Sequence, residues 1–313
     1  MRKVNKPASY KKGFLGIDTS NYRTSCCLLD EAGRVVYQRR PLLLVPQGKL
    51  GLRQQEAVFQ HLKALPLMFE EMGPLADVQF GVTTRPRPVE GSYMPCFVVG
   101  ESFVRALAAG RGYLAISHQE NHLWAGLYEN RTLIGKPFIA VHLSGGTTEF
   151  LHVTWNDQNL QIKEVGQTTD ISAGQFLDRT GVQLGFPFPA GPYLEKIARQ
   201  SDLRVGVTVK GTAISYSGPE AQIKELISRG VDPGEIAYAA LLAVGKSVGR
   251  VLRKLVEEYR VEDILLVGGV MANEIIRDKL KQDLQRIASL HFASVEASGD
   301  GALGVAFATF LRG

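Results

Sequence analysis

Two histidines, His118 and His122, stand four residues apart in the segment SHQENHLWAGLYEN. On a helix this spacing places both imidazoles on one face, which supplies half of a metal site. Glu120 lies roughly 200° around the helix from His118, so it cannot act as the glutamate of an HExxH zinc-protease helix does. Taken alone, the pair fits a metal site or a purely structural role.

A second candidate for chemistry is the Ser-Gly-Gly-Thr-Thr turn inside residues 138–153, FIAVHLSGGTTEFLHV. Strand-forming residues on both sides of the turn predict a hairpin. Gly145 and Gly146 leave their backbone N–H groups open, and the hydroxyls of Ser144, Thr147 and Thr148 add further donors. The turn could therefore hold a phosphate or carbonyl oxygen, although an ordinary Gly-Gly hairpin has the same pattern.

The same design occurs a second time. Residues 14–30, FLGIDTSNYRTSCCLLD, again run from strand through a polar turn to strand, about 124 residues before the second hairpin. Two such units indicate an internal duplication. In residues 264–273, ILLVGGVMAN, a buried strand ends at Gly268-Gly269 and a helix begins near Asn273.

The length of 313 residues predicts two lobes. We expect a basic flexible leader at 1–12, a first lobe with the histidine pair at 13–131, and a second lobe with the glycine turn at 132–313, whose final helix closes on the cleft. With 45% apolar and 21% charged residues, the composition is that of a soluble globular protein. No apolar run has the length of a membrane span, so we expect a cytoplasmic protein without membrane contact.

The net charge of +5 is weak evidence for a nucleic-acid partner. Five basic residues and no acid fall in the first 12 positions, so the remainder holds 31 basic and 31 acidic residues. A nucleic acid would need a local basic patch. Cys26 and Cys27 are adjacent on a predicted strand and point to opposite faces, so we expect core residues rather than a disulfide.

Hydrophobic spacing and turn residues predict the elements that position these groups. We expect helices at 54–71, 96–110, 172–184, 193–199, 233–259 and near the C-terminus through 311. We expect strands at 35–40, 78–83, 114–117, 161–165 and 290–293. Pro-rich loops should occupy 84–95 and 185–192, and a strand or loop should occupy 205–217.

In their order, His118-x-x-x-His122, LSGGTT, Asp178 followed by PAGP, GGVMAN and SGDGALG resemble the bacterial tRNA threonylcarbamoyladenosine transferases of the TsaD type, formerly classed as glycoproteases. The resemblance covers roughly residues 14–311. It implies an α/β fold of the actin-like, sugar-kinase and heat-shock-ATPase (ASKHA) superfamily, in which two duplicated ribonuclease-H-like lobes close on a nucleotide.

The resemblance also assigns residues. The family's metal ligands fall on His118, His122 and Asp300, which implies one iron or zinc ion in the cleft, held from both lobes. The substrate residues fall on the turn, at Leu143, Ser144, Gly145, Gly146 and Thr147, and singly on Asp178, Gly191 and Asn273. Asp178 could also be a solvated helix residue, Gly191 an ordinary turn glycine and Asn273 a helix N-cap.

The implied reaction is metal-dependent transfer of a threonylcarbamoyl group from threonylcarbamoyl-adenylate to an adenosine of tRNA, within an assembly that contains other subunits. An adenine nucleotide or adenylate is the implied ligand. The sequence itself presents no strong general base, so the catalytic residues stay unassigned.

Four positions depart from the family pattern. Thr147 stands where the family has histidine, Tyr22 and Arg23 replace an acidic pair, and Gln175 replaces glutamate. Residues 84–95 replace a Gly-Pro-Gly stretch. These departures suggest a divergent paralogue that binds adenylate, modifies tRNA poorly by itself, and depends on a partner or uses another acceptor.

Three alternatives remain. A non-catalytic nucleotide-binding scaffold of the same fold is disfavoured because all three metal ligands are present. A small-molecule kinase is disfavoured because the first turn offers no acid beyond Asp18. Peptidase activity has only the former family label in its favour.

Overall fold

The computed structural model describes residues 12–20, 22–45, 52–75 and 77–313. It divides into two compact units, one formed by residues 1–131 together with 297–313 and the other by residues 132–296. Of the predicted basic leader, only Lys12 is among the described residues.

The first unit contains a five-stranded sheet. Its strands are β1 (Gly13–Asp18), β2 (Ser25–Asp30), β3 (Val35–Arg39), β4 (Val78–Arg85) and β5 (Leu114–Ser117). They lie in the order β3-β2-β1-β4-β5, with β1 antiparallel to β2 and parallel to β4. The first predicted hairpin is therefore present. Cys26, Cys27 and Cys96 are free and buried, as expected for core residues.

Three helices accompany these strands: α1 (Gln54–Met72), α2 (Phe97–Ala108) and α3 (His118–Glu129). The side of α1 that carries Leu65, Met68 and Met72 packs into the core of this unit with β1 and β4. Strand β4 continues to Arg85, two residues beyond its predicted end, because Arg85 pairs with Ser117 of β5.

The second unit contains a seven-stranded sheet formed by β6 (Phe138–Leu143), β7 (Thr148–Asn156), β8 (Asn159–Thr168), β9 (Thr208–Lys210), β10 (Ala213–Ser215), β11 (Asp263–Val267) and β12 (Ser289–Phe292). Its order is β12-β11-β6-β7-β8-β10-β9. The run β8-β7-β6-β11-β12 repeats the order and the strand directions of β3-β2-β1-β4-β5. This repetition confirms the predicted duplication.

The helices of the second unit are α4 (Ala173–Gln183), α5 (Gly191–Ile197), α6 (Ser217–Ser228), α7 (Pro233–Tyr259) and α8 (Glu274–Leu284). The bounds of α7 are those predicted, because Asp232 caps it and Pro233 occupies its first position. Helix α6 was not predicted, and α5 begins two residues early. A short 3-10 helix, Gly269–Ala272, separates β11 from α8.

The C-terminal segment differs from the prediction. After α9 (Val295–Ser298), the last helix α10 (Leu303–Arg312) packs on α3 and on strands β1, β2 and β4. Residues 297–313 thus belong to the first unit, whereas the sequence placed them in the second lobe. Small residues of the first unit permit this packing, since a Cβ on Gly16 would lie 2.4 Å from the backbone nitrogen of Ala306. Within the described chain, no helix has the length and apolarity needed to cross a membrane.

Candidate metal centre and nucleotide pocket

The first turn of α3 is fixed by a reciprocal cap. The Ser117 hydroxyl accepts the backbone N–H of Glu120 at 3.1 Å, and the Glu120 carboxylate accepts the backbone N–H of Ser117 at 2.7 Å. This capping box satisfies donors that a helix start leaves open. It also directs Glu120 back toward the helix start, which agrees with its predicted absence from the histidine face.

His118, His122 and Asp300 form a compact cluster within the first unit. The two imidazole Nε2 atoms are 3.0 Å apart, and each lies 3.6 Å from the same Asp300 oxygen, Oδ1. With metal–ligand bonds of about 2.1 Å, two donors on one ion lie about 3.0 to 3.4 Å apart. The donor atoms therefore already have nearly the separation that a bound ion requires. All three residues belong to one unit, so the expectation of ligands from both lobes was wrong.

A second acidic group, Asp18, stands behind His118. Its Oδ2 lies 3.3 Å from His118 Nδ1 and accepts the Ser20 hydroxyl at 2.7 Å, while Oδ1 accepts the Thr83 hydroxyl at 2.5 Å. Asp18 is fully buried at the end of β1. A carboxylate at Nδ1 fixes the orientation of an imidazole and leaves Nε2 to face a metal.

The electrostatic field of this cluster favours a cation. Burial lowers the pKa of His118, but the carboxylates of Asp18 and Asp300 outweigh burial and raise that pKa from 6.5 to about 10. A site that stabilises an added proton this strongly also stabilises a metal ion, because both place positive charge between the same carboxylates.

Helices α3 and α10 hold Asp300 against the histidines. The Asn121 side chain donates to the Gly301 carbonyl at 2.7 Å and accepts the backbone N–H of Val305 at 2.9 Å. Asn121 thereby caps α10 from a neighbouring helix. At Gly304 a Cβ would lie only 1.9 Å from the Asn121 carbonyl oxygen, so the two helices are in direct backbone contact there.

In the second unit, the Ser-Gly-Gly-Thr turn closes the hairpin of β6 and β7. The backbone N–H of Ser144 donates to the Thr147 carbonyl at 2.9 Å, and the Thr147 N–H donates to the Ser144 hydroxyl at 3.1 Å. The turn is attached to the start of α4, where the Ser172 hydroxyl donates to the Gly145 carbonyl at 2.9 Å. A Cβ on Gly174 would lie 2.3 Å from the Ser144 carbonyl oxygen, so glycine permits this close approach.

A cavity of about 300 Å³ adjoins this turn and gathers four of the predicted substrate residues: Gly145, Asp178, Gly191 and Asn273. Its volume is at the lower end of the range for ligand pockets. Asp178 holds the PAGP loop, because its Oδ1 accepts the backbone N–H groups of Ala190 at 2.7 Å and Gly191 at 3.2 Å. Asn273 caps α8 by accepting the Ile276 N–H at 3.0 Å.

The rest of the turn stays outside the cavity lining. The Leu143 side chain is fully buried in the core of the unit. Ser144, Gly146 and Thr147 do not line the cavity, and Gly146 is exposed. Their relation to a ligand remains the prediction made from the resemblance.

Comparison with known proteins settles the family. The family model described as TsaD, tRNA N6-adenosine threonylcarbamoyltransferase, matches residues 55–303. The chain belongs to the TsaD family. The tRNA N6-adenosine threonylcarbamoyltransferase of Thermus thermophilus is 27% identical over 310 residues, which cover 95% of this chain and 92% of the relative. A probable bifunctional tRNA threonylcarbamoyladenosine biosynthesis protein of Methanothermobacter thermautotrophicus is 25% identical over 94% of this chain and 54% of its own length.

Solved structures confirm the ASKHA fold of this TsaD-family chain. HypF of T. kodakarensis matches with a TM-score of 0.62 at 15% identity, over 98% of this chain and 48% of HypF. Component A of the (R)-2-hydroxyglutaryl-CoA dehydratase of Acidaminococcus fermentans matches with a TM-score of 0.59 at 17% identity, over 96% and 99% of the two chains. At these identities the likeness concerns the fold alone.

Two acidic residues at the sites of this TsaD-family chain were not selected from the sequence. From the sequence we considered Asp18 only as a possible kinase residue. Its position was the available signal, because this acidic residue stands at the junction of a buried strand and a polar turn. Glu195 lines the second-unit cavity and accepts the backbone N–H of Glu274 at 2.6 Å. Glu195 belongs to the short helix α5, and no motif around it in the sequence indicates a binding residue.

Proposed function

We propose that this chain catalyses metal-dependent transfer of a threonylcarbamoyl group from threonylcarbamoyl-adenylate to the exocyclic amine of an adenosine in tRNA. The observation that carries the proposal is the complete set of converging donors, His118, His122 and Asp300, in a chain of the TsaD family. A scaffold that only bound nucleotide would not need three metal donors within 4.8 Å of one another.

The donor set fits iron(II) or zinc. Two imidazoles and one carboxylate suit either ion and leave positions open for substrate. When bound, the ion would supply a Lewis acid that polarises the carbamoyl carbonyl. The chain's own contribution is orientation: Asp18 holds His118 by Nδ1, and Asn121 holds the turn that carries Asp300.

The cavity beside the glycine turn is the proposed adenylate pocket. Asp178 uses Oδ1 to hold the PAGP loop, so its other oxygen is available to accept a hydroxyl of a ribose. At the start of α4, the N–H groups of Ala173 and Gln175 already donate to the Thr148 and Ser172 hydroxyls. Gly145 and Gly174 line one side of the cavity, where their backbone N–H groups and the helix dipole favour phosphate. These donors would stabilise the charge on AMP as it leaves.

The departures from the family pattern keep the local structure but replace side chains that the resemblance assigns to the family. Gln175 fills the capping box of α4 by accepting the Ser172 N–H at 3.2 Å, so this substitution keeps the local structure. Arg23 binds the Arg40 carbonyl at 2.8 Å and therefore braces a loop. Thr147 retains only a hydroxyl where the family has an imidazole. We therefore expect slow turnover by the isolated chain and faster turnover with other subunits of a threonylcarbamoyl-transfer assembly.

The test uses tRNA that lacks the modification, threonylcarbamoyl-adenylate and the purified chain, with modified nucleoside measured by mass spectrometry. With enzyme in excess, we expect product from the wild type and none from His118→Ala/His122→Ala, which should also lose stoichiometric metal in elemental analysis. Asn130→Ala, a matched change at the other end of α3, should retain both.

Three outcomes would contradict parts of the proposal. Full metal content in the double variant would place the metal elsewhere. No product from a wild type that binds adenylate tightly would reject transfer by the isolated chain and point to an obligatory partner or another acceptor. Fast multiple turnover by the isolated chain would reject the need for a partner.

A further inference from the structure

The outer face of α7 is positively charged. Between Gly234 and Val256 this helix has four exposed positions, and all four are basic: Lys246, Arg250, Arg253 and Lys254. Their spacing of four, three and one residues places them on one side of the helix. At 1.5 Å per residue, they extend over about 12 Å.

These charges are not neutralised by their neighbours. Within the described chain, none of the four forms an ion pair with a carboxylate. The nearest acid on α8, Asp283, is paired with Lys279 at 2.6 Å. Arg253 donates to the Asp283 backbone carbonyl at 2.7 Å, which orients its guanidinium without cancelling its charge. Two exposed acids, Glu257 and Glu258, follow three and four residues after Lys254; neither forms an ion pair with it among the described residues, and they mark the C-terminal limit of the positive charge on α7.

The charge continues beyond α7. A groove of about 420 Å³ runs beside Arg253 and is also lined by Arg286, by the amides Gln282 and Gln285, by Asp283, whose carboxylate is paired with Lys279, and by Ile287. Burial and the positive charges of Arg204 and Lys279 lower the pKa of Lys246, while Asp283 acts in the opposite direction; Arg204 and Lys279 are themselves paired with Asp202 and Asp283. We call Lys246, Arg250, Arg253, Lys254 and Arg286 the basic face.

The basic face stands out because the chain after its first 12 residues carries no net charge. Outside the first 12 residues the chain holds 31 basic and 31 acidic residues, so five neighbouring cations that form no ion pair with a described carboxylate do not reflect the overall charge. A neutral protein that binds a polyanion needs such a patch.

The chemistry of the face favours RNA over a lipid surface. A helix that binds membranes buries large apolar side chains beside its cations. Among the described residues of α7, no large apolar side chain is exposed, and its apolar side forms the core of the unit. Arginine and amide side chains around a groove suit phosphate oxygens, since guanidinium groups bind them in pairs of hydrogen bonds.

We propose that the basic face binds the phosphate backbone of the tRNA body. The inference rests on the proposed function, which makes tRNA the substrate. Binding of this kind fixes the position of the RNA without recognising its sequence and depends steeply on salt.

The test measures binding of unmodified tRNA to the full chain by fluorescence anisotropy between 50 and 200 mM salt, roughly the range over which phosphate contacts change affinity most. The variant is Arg250→Gln/Lys254→Gln, because neither side chain makes a hydrogen bond that the fold needs. Its matched control is Lys224→Gln/Arg229→Gln, which removes two positive charges from the same unit, one on α6 and one at its C-cap, where both are paired with glutamates.

We expect the basic-face variant to bind tRNA roughly tenfold more weakly and the slope of log affinity against log salt to fall by about two. The control should stay within about twofold of the wild type. Adenylate binding should be unchanged in both, and saturating tRNA should restore single-turnover product formation in the basic-face variant.

The outcomes separate this inference from the proposed function. If the wild type modifies tRNA and the basic-face variant binds it with unchanged affinity and salt slope, the inference is wrong and the function stands. If the wild type binds tRNA through this face but forms no product, the inference stands and transfer by the isolated chain is rejected. A wild type that binds no tRNA at 50 mM salt, or a face that binds anionic phospholipid vesicles in preference to tRNA, overturns the inference.

Discussion

Replacing Gly304 by alanine tests how the metal centre is assembled. Helix propensity alone predicts that Gly304→Ala stabilises α10 by about 1 kcal/mol. The packing predicts the opposite, because the new Cβ would lie 1.9 Å from the Asn121 carbonyl oxygen and 2.7 Å from the Ala125 nitrogen. Both atoms belong to the backbone of α3, so neither can rotate away.

The size of the effect follows from these distances. Ordinary contact begins near 3.4 Å, so α10 must move by about 1.5 Å relative to α3, and overpacking of this kind costs about 1–3 kcal/mol or more. Asp300 precedes α10 by three residues and should move with it. Metal sites tolerate ligand displacements of only about 0.2 Å, so we expect metal affinity to fall by about 10- to 100-fold.

Urea unfolding and metal titration against a competing chelator measure the two effects. Gly112→Ala is the matched control in the same unit, since its Cβ would meet nothing within 4 Å and its φ is not positive. The control should be as stable as the wild type. A Gly304→Ala variant that is more stable than the wild type, or that binds metal within twofold of it, would refute the packing argument.

Two further predictions concern the second unit. Gly145→Val should weaken adenine-nucleotide binding at least tenfold in calorimetry, because Gly145 lines the cavity. The unfolding curve should not change, because a Cβ at this position meets nothing within 4 Å. Unchanged affinity would show that the turn is not part of the nucleotide site. For Asp170, burial raises the pKa but hydrogen bonds from Ser215 and Ser217 outweigh it and lower that pKa from 3.8 to about 2. This interaction therefore stabilises the fold fully above about pH 4 and is lost toward pH 2. Asp170→Asn should lower the unfolding free energy at pH 7 by less than about 2 kcal/mol, since the residue is exposed, and a deficit that persists at pH 2 would contradict the assignment.

The elements with regular patterns could be predicted from the sequence. Helix α7 has a long apolar stripe, an N-cap at Asp232 and Pro233 at its first position, and each of these signals agrees with the others. The two glycine-containing hairpins have strand-forming flanks on both sides of a polar turn. In such segments the local preference and the tertiary environment favour the same structure.

Helix α6 shows where local signals fail. It begins with Ser217, Gly218 and Pro219, residues that are typical of turns, and along its length only Pro219 and Ile223 are buried. Its apolar stripe is therefore too short to be recognised by spacing. The helix is held instead by tertiary contacts, with α4 and α7, that a single sequence does not reveal.

The composition of the candidate metal centre followed from the resemblance, but its placement did not. Asp300 lies far from the histidines in sequence, and chain order suggested a different lobe. Only the packing of α10 on α3 shows that it belongs with them, and the features that allow this packing are a missing Cβ at Gly304 and one amide at Asn121. Neither has a distinctive sequence pattern.

The two candidate sites are formed by residues of different units, so each variant is expected to affect one site and not the other. The metal donors are held by elements of the first unit alone, and the cavity that contains Asp178 and Asn273 is lined by the second unit alone. Loss of metal from the histidine variant therefore gives no structural reason for loss of nucleotide affinity, and Gly145→Val gives none for loss of metal. Under the proposed function, transfer is the one activity that requires both sites, so we expect a variant that keeps both ligands yet transfers nothing to be defective in the acceptor step. That step is where the basic face of α7 and the partner subunits are proposed to act.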